Sequence, residues 1–164
     1  MRIIPLSAGG LCCLALAGAV HADPVISYFP AKDVGLFLAK NFDLTSIRSS
    51  FGPRRTTGLR TFADFQMKPS TAANDLLEFR SDIWFYQLRI VERGDVNKDG
   101  IEDLAVCFTD QALGGATYYS QTSLLITRYS VKGYAVALSF SVDACDKPAT
   151  NVPPPPASAA ANPP

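Results

Sequence analysis

The stretch RGDVNKDGIEDL, residues 93–104, decides how the rest of the chain is organised. Its oxygen-bearing side chains recur at every second position, at Asp95, Asn97 and Asp99, and Asp103 follows further along. Gly100 comes directly after the third of them and allows a sharp turn that brings both halves of the stretch together. The spacing therefore predicts a tight loop whose polar side chains surround a common centre.

Such a loop suits a hard divalent cation, because calcium takes roughly six to eight oxygens from carboxylates, amides, carbonyls and water. The side chains at loop positions 1, 3, 5 and 9 and the backbone carbonyl at position 7 are the predicted calcium ligands: Asp95, Asn97, Asp99, Asp103 and Ile101. Magnesium is the weaker candidate, since it uses fewer protein ligands. The alternative is an Asx-rich turn without an ion, because Asp and Asn also stabilise turns through their own backbone.

The pattern Asp-x-Asn-x-Asp-Gly-x-x-Asp-Leu, running into an apolar strand, resembles the calcium loop of the FG-GAP and VCBS repeat families. Those repeats form propeller blades in series, and this chain has one copy, so the resemblance implies only the ion and its ligands. An EF-hand would need a bidentate Glu where Val106 stands, and a dockerin carries its loop in duplicate. The tripeptide from Arg93 to Asp95 spells an integrin-binding motif, but bound calcium would occupy the Asp95 carboxylate.

Period-two alternation on both sides of the loop predicts strands at 83–92 and 104–109. Further strands are predicted at 76–80, 123–130 and 133–142, the last two as a hairpin. Upstream, the spacing predicts a helix over 31–41, and Asp43 is placed to cap a short helical turn. The expected class is α+β: an N-terminal helical segment packed on an antiparallel sheet of about five strands, with the calcium loop connecting two central strands.

Residues 53–75 are the least regular segment. Basic residues gather in and near it (Arg48, Arg54, Arg55 and Arg60), and Phe62, Phe65 and Met67 follow. A loop of this composition could hold an anionic ligand. The simpler interpretation is a solvated loop whose aromatic side chains pack under the sheet.

The two ends of the chain differ from the rest in composition. Residues 1–22 combine a positive start with a long apolar run and small residues at Val20 and Ala22, which predicts a secretory signal peptide. An uncleaved membrane anchor is the alternative. Residues 147–164 are rich in Pro and Ala and predict a disordered tail, either a spacer or a ligand for a proline-binding module. A single domain at 23–146 lies between them, and we expect it to be periplasmic or secreted.

Removal of the signal peptide changes the chemistry that remains. It takes away His21, the only histidine, which excludes His-dependent nucleophilic catalysis and His-ligated zinc. It leaves Cys107 and Cys145, which we expect to form a disulfide, with two separate buried thiols as the alternative. Loss of Arg2 from the 15 bases leaves 14 against 15 acids, a net charge of −1. That balance does not indicate a nucleic-acid partner.

Two classes of function are compatible with these features. The first is an exported non-enzymatic module in which structural calcium orders a hairpin and which binds a protein or a cell-envelope component. An inhibitor or chaperone of a secreted enzyme is a subclass of it. The second is a calcium-assisted hydrolase of glycans or phosphoesters, with Glu78, Glu102 and Asp110 as its candidate acids. The sequence favours the first, because it places no pair of carboxylates together.

Overall fold

The computed structural model describes residues 24–48 and 56–147. The predicted signal peptide, Arg54, Arg55 and the predicted tail beyond Lys147 lie outside the described residues. Within the described segments, no helix has the length and the apolar character needed to cross a membrane. The elements in chain order are α1 (Val34–Asn41), β1 (Phe42–Asp43), a 3-10 turn (Leu44–Ser46), β2 (Thr71–Ala72), β3 (Leu76–Arg80), β4 (Trp84–Gly94), β5 (Asp103–Ala112), β6 (Tyr119–Thr127) and β7 (Ala135–Leu138).

The strands form one mixed sheet of seven strands in the order β1-β7-β6-β5-β4-β3-β2. All neighbours are antiparallel except β1 and β7, which run parallel. The expected sheet of about five antiparallel strands is therefore wrong in both number and direction. The reason is that β1 and β2 have two residues each, too few for an alternating pattern to be visible. One helix with this sheet fits an α+β or mostly β fold.

The main core lies between α1 and one face of the sheet. Leu88 of β4 pairs with Phe108 of β5 on this face, and the helix contributes Val34 and Leu38; all four are fully or almost fully buried. A Cβ on Gly35 would come within 2.5 Å of the Ala73 carbonyl oxygen, so glycine at this position permits the close approach of helix and sheet.

The irregular segment before β2 also enters the core. Phe62 is fully buried, and its ring stacks on that of Phe79 with the centroids 4.3 Å apart. Arg60 from the same segment lies 3.5 Å from the Asp43 carboxylate, which also accepts the backbone N–H of Thr45 at the start of the 3-10 turn. These contacts match the simpler interpretation of the segment, in which its aromatic side chains pack under the sheet.

The opposite face of the sheet carries the disulfide between Cys107 and Cys145, with Cα atoms 4.6 Å apart. The prediction that these cysteines pair is confirmed. Val91, which forms a β-bulge in β4, packs with the disulfide, Ala105 and Ala144 in a second, smaller apolar cluster. Lys147, the first residue of the predicted tail, still contacts the domain, because its carbonyl accepts a hydrogen bond from Arg89.

The closing hairpin is shorter than predicted at its end. β7 stops at Leu138, although the alternation of large and small side chains continues to Val142. Beyond Leu138 the chain leaves the sheet and reaches Cys145, which is joined to Cys107 on β5, the strand beyond β6. The small side chains of β7 face the side of the sheet that carries the helix. Ala135 is buried, and Ala137 packs against the main core.

Candidate metal centre

The predicted calcium loop is the turn between β4 and β5, near the centre of the strand order. The last paired residues of the two strands are Gly94 and Asp103. Lys98 and Gly100 have φ angles of 65° and 83°, so the backbone turns sharply in the left-handed region at both positions. This places the loop, and the sharp turn at Gly100, where the sequence predicted them.

The oxygens of the loop side chains are directed inward over the backbone. The Asp95 carboxylate accepts the N–H groups of Asp99, at 2.9 Å, and Gly100, at 3.0 Å. Asn97 Oδ1 also accepts from Asp99 N–H, and Asp99 Oδ1 accepts from Ile101 N–H at 2.9 Å. The side chains at positions 1, 3 and 5 thus follow one another around the same turn.

The backbone of Ile101 is oriented by residues 24–30, the segment at the start of the domain that is called the N-terminal lead below. Ile26 forms a parallel bridge with Ile101, in which Ile26 N–H donates to Gly100 O and Glu102 N–H donates to Ile26 O. Neighbouring residues of an extended chain direct their backbone groups to opposite sides. The N–H and carbonyl of Ile101 therefore point away from Ile26, to the side on which its N–H meets Asp99. The backbone carbonyl at position 7 is thus left on the Asp99 side of the chain.

Asp103 at position 9 is the most unusual side chain of the site. It is fully buried, and its Oδ2 accepts the N–H groups of Val96 and Asn97 at 3.2 and 3.3 Å. Oδ1 and the hydroxyl of its cross-strand neighbour Thr127 make no hydrogen bond of full geometry among the described residues, although the hydroxyl lies near enough to act on the carboxylate. Burial raises the pKa of Asp103; the nearby Thr127 hydroxyl and the two N–H groups oppose the rise, and the charge of Asp99 adds to it.

Among the described residues, the carboxylates of the loop form no ion pair with a basic side chain. The ion pairs of the described residues involve none of Asp95, Asp99 and Asp103. The adjacent base, Arg93, instead donates to Glu102 from Nε at 3.0 Å. The turn therefore holds three carboxylates, one of them fully buried, without a described cation partner.

As they stand, these carboxylates do not form a ready-made metal cage. Within residues 24–48 and 56–147, no three His, Cys, Asp or Glu side chains are grouped so that they could hold a metal ion. The carboxylates are instead turned towards backbone N–H groups, from which they accept the hydrogen bonds described above. The other two of the five predicted ligands are the Asn97 amide and the Ile101 backbone carbonyl. A cation would require the three carboxylates to rotate towards a common centre.

The three candidate acids of a hydrolase are not brought together. Glu78 and Asp110 lie on opposite faces of the sheet, since Glu78 pairs with Gln87 and Asp110 with the next residue, Tyr86. Asp110 is buried and accepts from Trp84 Nε1 at 2.6 Å. Glu102 directly precedes β5, at the end far from Asp110, and is paired with Arg93.

The role of Glu102 is the feature that sequence reasoning missed. Its carboxylate accepts hydrogen bonds from the Arg93 guanidinium of β4 and from the Ser27 hydroxyl of the N-terminal lead. Arg93 also donates to the Pro30 carbonyl. This cluster ties the lead to the turn. The available signal was the placement of an opposite-charge pair on either side of a predicted hairpin turn.

Comparisons with protein-family models, with curated proteins and with solved structures give no match for this chain.

Proposed function

We propose that residues 95–103 bind one calcium ion, and that the domain is an exported, non-enzymatic binding module whose central turn the ion stabilises. The observation that carries this proposal is the Asp103 carboxylate, which is fully buried and forms no ion pair among the described residues. A buried carboxylate is costly unless it is paired or coordinates a cation. A cation in the loop would remove that cost.

The donor set supports calcium in particular. Three carboxylates, the Asn97 amide and the Ile101 carbonyl supply oxygen only, which suits a hard cation, and water can complete the roughly six to eight ligands. Zinc prefers nitrogen and sulfur, and the two cysteines of the described residues are joined to each other. Magnesium fits less well because it keeps most of its waters.

The position of the loop supports a structural role for the ion. The ligands extend from the end of β4 to Asp103 at the start of β5, and Ile26 is hydrogen-bonded on either side of Ile101. A bound ion would therefore hold the two longest strands and the N-terminal lead in one arrangement. The separation of Glu78, Glu102 and Asp110 favours a binding module over a hydrolase. The disulfide supports a periplasmic or secreted location, where such bonds persist.

The test is direct titration of calcium into the metal-free chain, followed by calorimetry. We expect one site per chain, lost in Asp99→Asn and retained in the control Asp82→Asn, which removes an exposed carboxylate outside the loop. Terbium, which takes the same oxygen ligands, should bind with the same dependence on Asp99. Equal heats in wild type and Asp99→Asn would contradict the proposed site.

A further inference from the structure

The outer edge of β6 is a second surface, separate from the calcium loop. β6 pairs with β5 over its whole length, but β7 pairs only with Leu125, Ile126 and Thr127. Among residues 24–48 and 56–147, no strand pairs with the other side of 119–124. Within the described segments, the backbone groups on that side of the strand have no strand partner and can pair with another extended chain.

The edge is open because of the path taken after β7. Beyond Leu138 the chain crosses to the opposite face, where Ser123 Oγ accepts the N–H groups of Ala144 and Cys145 at 3.0 and 3.1 Å. The disulfide then anchors the segment on β5. What remains is a groove of about 360 Å³ at the position where β7 would have continued.

The groove, called the slot below, is lined by residues 122–124 of β6, by 137–141 and by 46–48. The last two segments are joined to each other, since Arg48 Nη1 donates to Ser139 Oγ and Ala137 N–H donates to Ser46 Oγ. Phe140, which is 45% exposed, supplies apolar surface within it, whereas Ile47 and Leu124 are buried. Residues 119–124 of a second copy would bring no carboxylate to the exposed Arg48 of the lining, so an acidic peptide suits the groove better than a second copy of this chain.

The edge lacks the features that usually prevent strand addition. Residues 119–124 read YSQTSL and contain no proline and no charged side chain. Natural sheets commonly protect an open edge with lysine, proline or a bulge. The unprotected edge supports a site at which a partner strand is added.

Arg48 supplies the charge that selects the partner. It is exposed, its Nη1 donates to Ser139 Oγ at 2.7 Å, and it takes part in none of the ion pairs between described residues. It lines the groove at the end where β6 begins to pair with β7. A carboxylate on a bound peptide would find its complement there.

We propose that this slot binds an extended, acidic peptide segment of a partner protein, which adds as a strand to β6 and places a carboxylate at Arg48. Backbone hydrogen bonds would supply affinity and the carboxylate selectivity. The inference names a partner for the binding module proposed above and rests on that module. It does not require calcium, so peptide binding and calcium binding can fail separately.

The test uses the ¹⁵N-labelled chain and the peptide acetyl-Thr-Val-Thr-Val-Thr-Asp-amide, because strand addition through the backbone tolerates sequence. We expect amide shifts confined to residues 46–48, 119–125 and 137–141. N-methylation of alternate peptide amides should weaken binding roughly tenfold or more by removing ladder hydrogen bonds. Arg48→Gln should weaken binding of the Asp peptide severalfold and leave binding of its Asn analogue unchanged. Arg80→Gln, a change of an exposed arginine outside the slot, is the matched control.

Several outcomes would overturn the proposal. They are the absence of binding at millimolar peptide, equal binding of the N-methylated peptide, and shifts located elsewhere in the domain. Equal loss in Arg48→Gln and Arg80→Gln would also overturn it. A chain that is dimeric through β6 without peptide, by sedimentation and by loss of the dimer on substitution of Thr122 with proline, would assign the edge to a second copy instead.

Discussion

Arg93 and Glu102 form an ion pair across the mouth of the 95–102 turn, with Nε 3.0 Å from Oε1 and side chains only 6% and 3% exposed. The same pair reaches the N-terminal lead, since Glu102 accepts from Ser27 and Arg93 donates to the Pro30 carbonyl. The lead, the end of β4 and the start of β5 are thereby joined at one point. The turn is held by this cluster on one side and by the Asp-rich loop on the other.

Loss of one member of this pair should be strongly destabilising. Glu102→Leu would leave the Arg93 guanidinium buried without its partner, which costs about 3–5 kcal/mol in such pairs. The double variant Arg93→Met/Glu102→Leu should recover much of that loss, because no buried charge is left. Urea unfolding measures both. A single variant within about 1 kcal/mol of wild type would contradict the role assigned to the pair.

The disulfide should stabilise the domain in spite of joining a strand to an irregular segment. Cys107 and Cys145 are separated by 38 residues, so the crosslink restricts a substantial loop of the unfolded chain. We expect Cys107→Ala/Cys145→Ala to lose about 2–4 kcal/mol. Dithiothreitol should lower the unfolding midpoint of wild type and leave that of the double variant unchanged. The same response in both proteins would mean that the reductant acts elsewhere.

Phe62 should behave as a core residue although it lies in the least regular part of the sequence. It is fully buried and stacked on Phe79, so Phe62→Ala should cost about 3–5 kcal/mol. Phe140, which is 45% exposed, provides the matched control, and Phe140→Ala should change the free energy of unfolding much less. Similar losses in the two variants would show that segment 56–70 does not pack as described.

Asp64 should contribute to acid sensitivity. Its carboxylate accepts the N–H groups of Thr61 and Arg60, which lower its pKa below the ordinary value of 3.8. A folded-state pKa below the unfolded one means that this stabilisation is present above pH 3.8 and is lost as the pH falls through the lower, folded value. The carboxyl carbon shift of Asp64 should titrate with a midpoint under 3.8. A midpoint at or above that value would show that the two N–H bonds do not form in solution.

The parts of the fold that sequence could predict are those with a repeated physical signal. Apolar alternation located β3, β4 and β5, and the Asp/Asn spacing with Gly100 located the turn between β4 and β5. The pairing of Cys107 with Cys145 followed from their number in a chain that we expect to be exported. Each of these signals is local, or depends on counting a few residues.

The remaining features depend on contacts between distant segments. β1 exists because Phe42 and Asp43 meet β7, and two residues carry no period of their own. β7 ends at Leu138 although its alternation continues, and the chain then crosses the sheet to the disulfide at Cys145. The Arg93–Glu102 cluster needs Ser27 and Pro30 from the far end of the domain. Such features become visible only when the sheet order is known.

Calcium binding at residues 95–103 is best tested by thermal unfolding of the chain, measured once in calcium and once in chelator. An ion that binds the folded state alone stabilises it by mass action, by about 2.7 kcal/mol at a hundred times its dissociation constant. We predict a higher unfolding temperature in calcium, with the difference abolished in Asp99→Asn and kept in Asp82→Asn. Equal unfolding temperatures of the wild-type chain in saturating calcium and in chelator would show that residues 95–103 do not bind calcium.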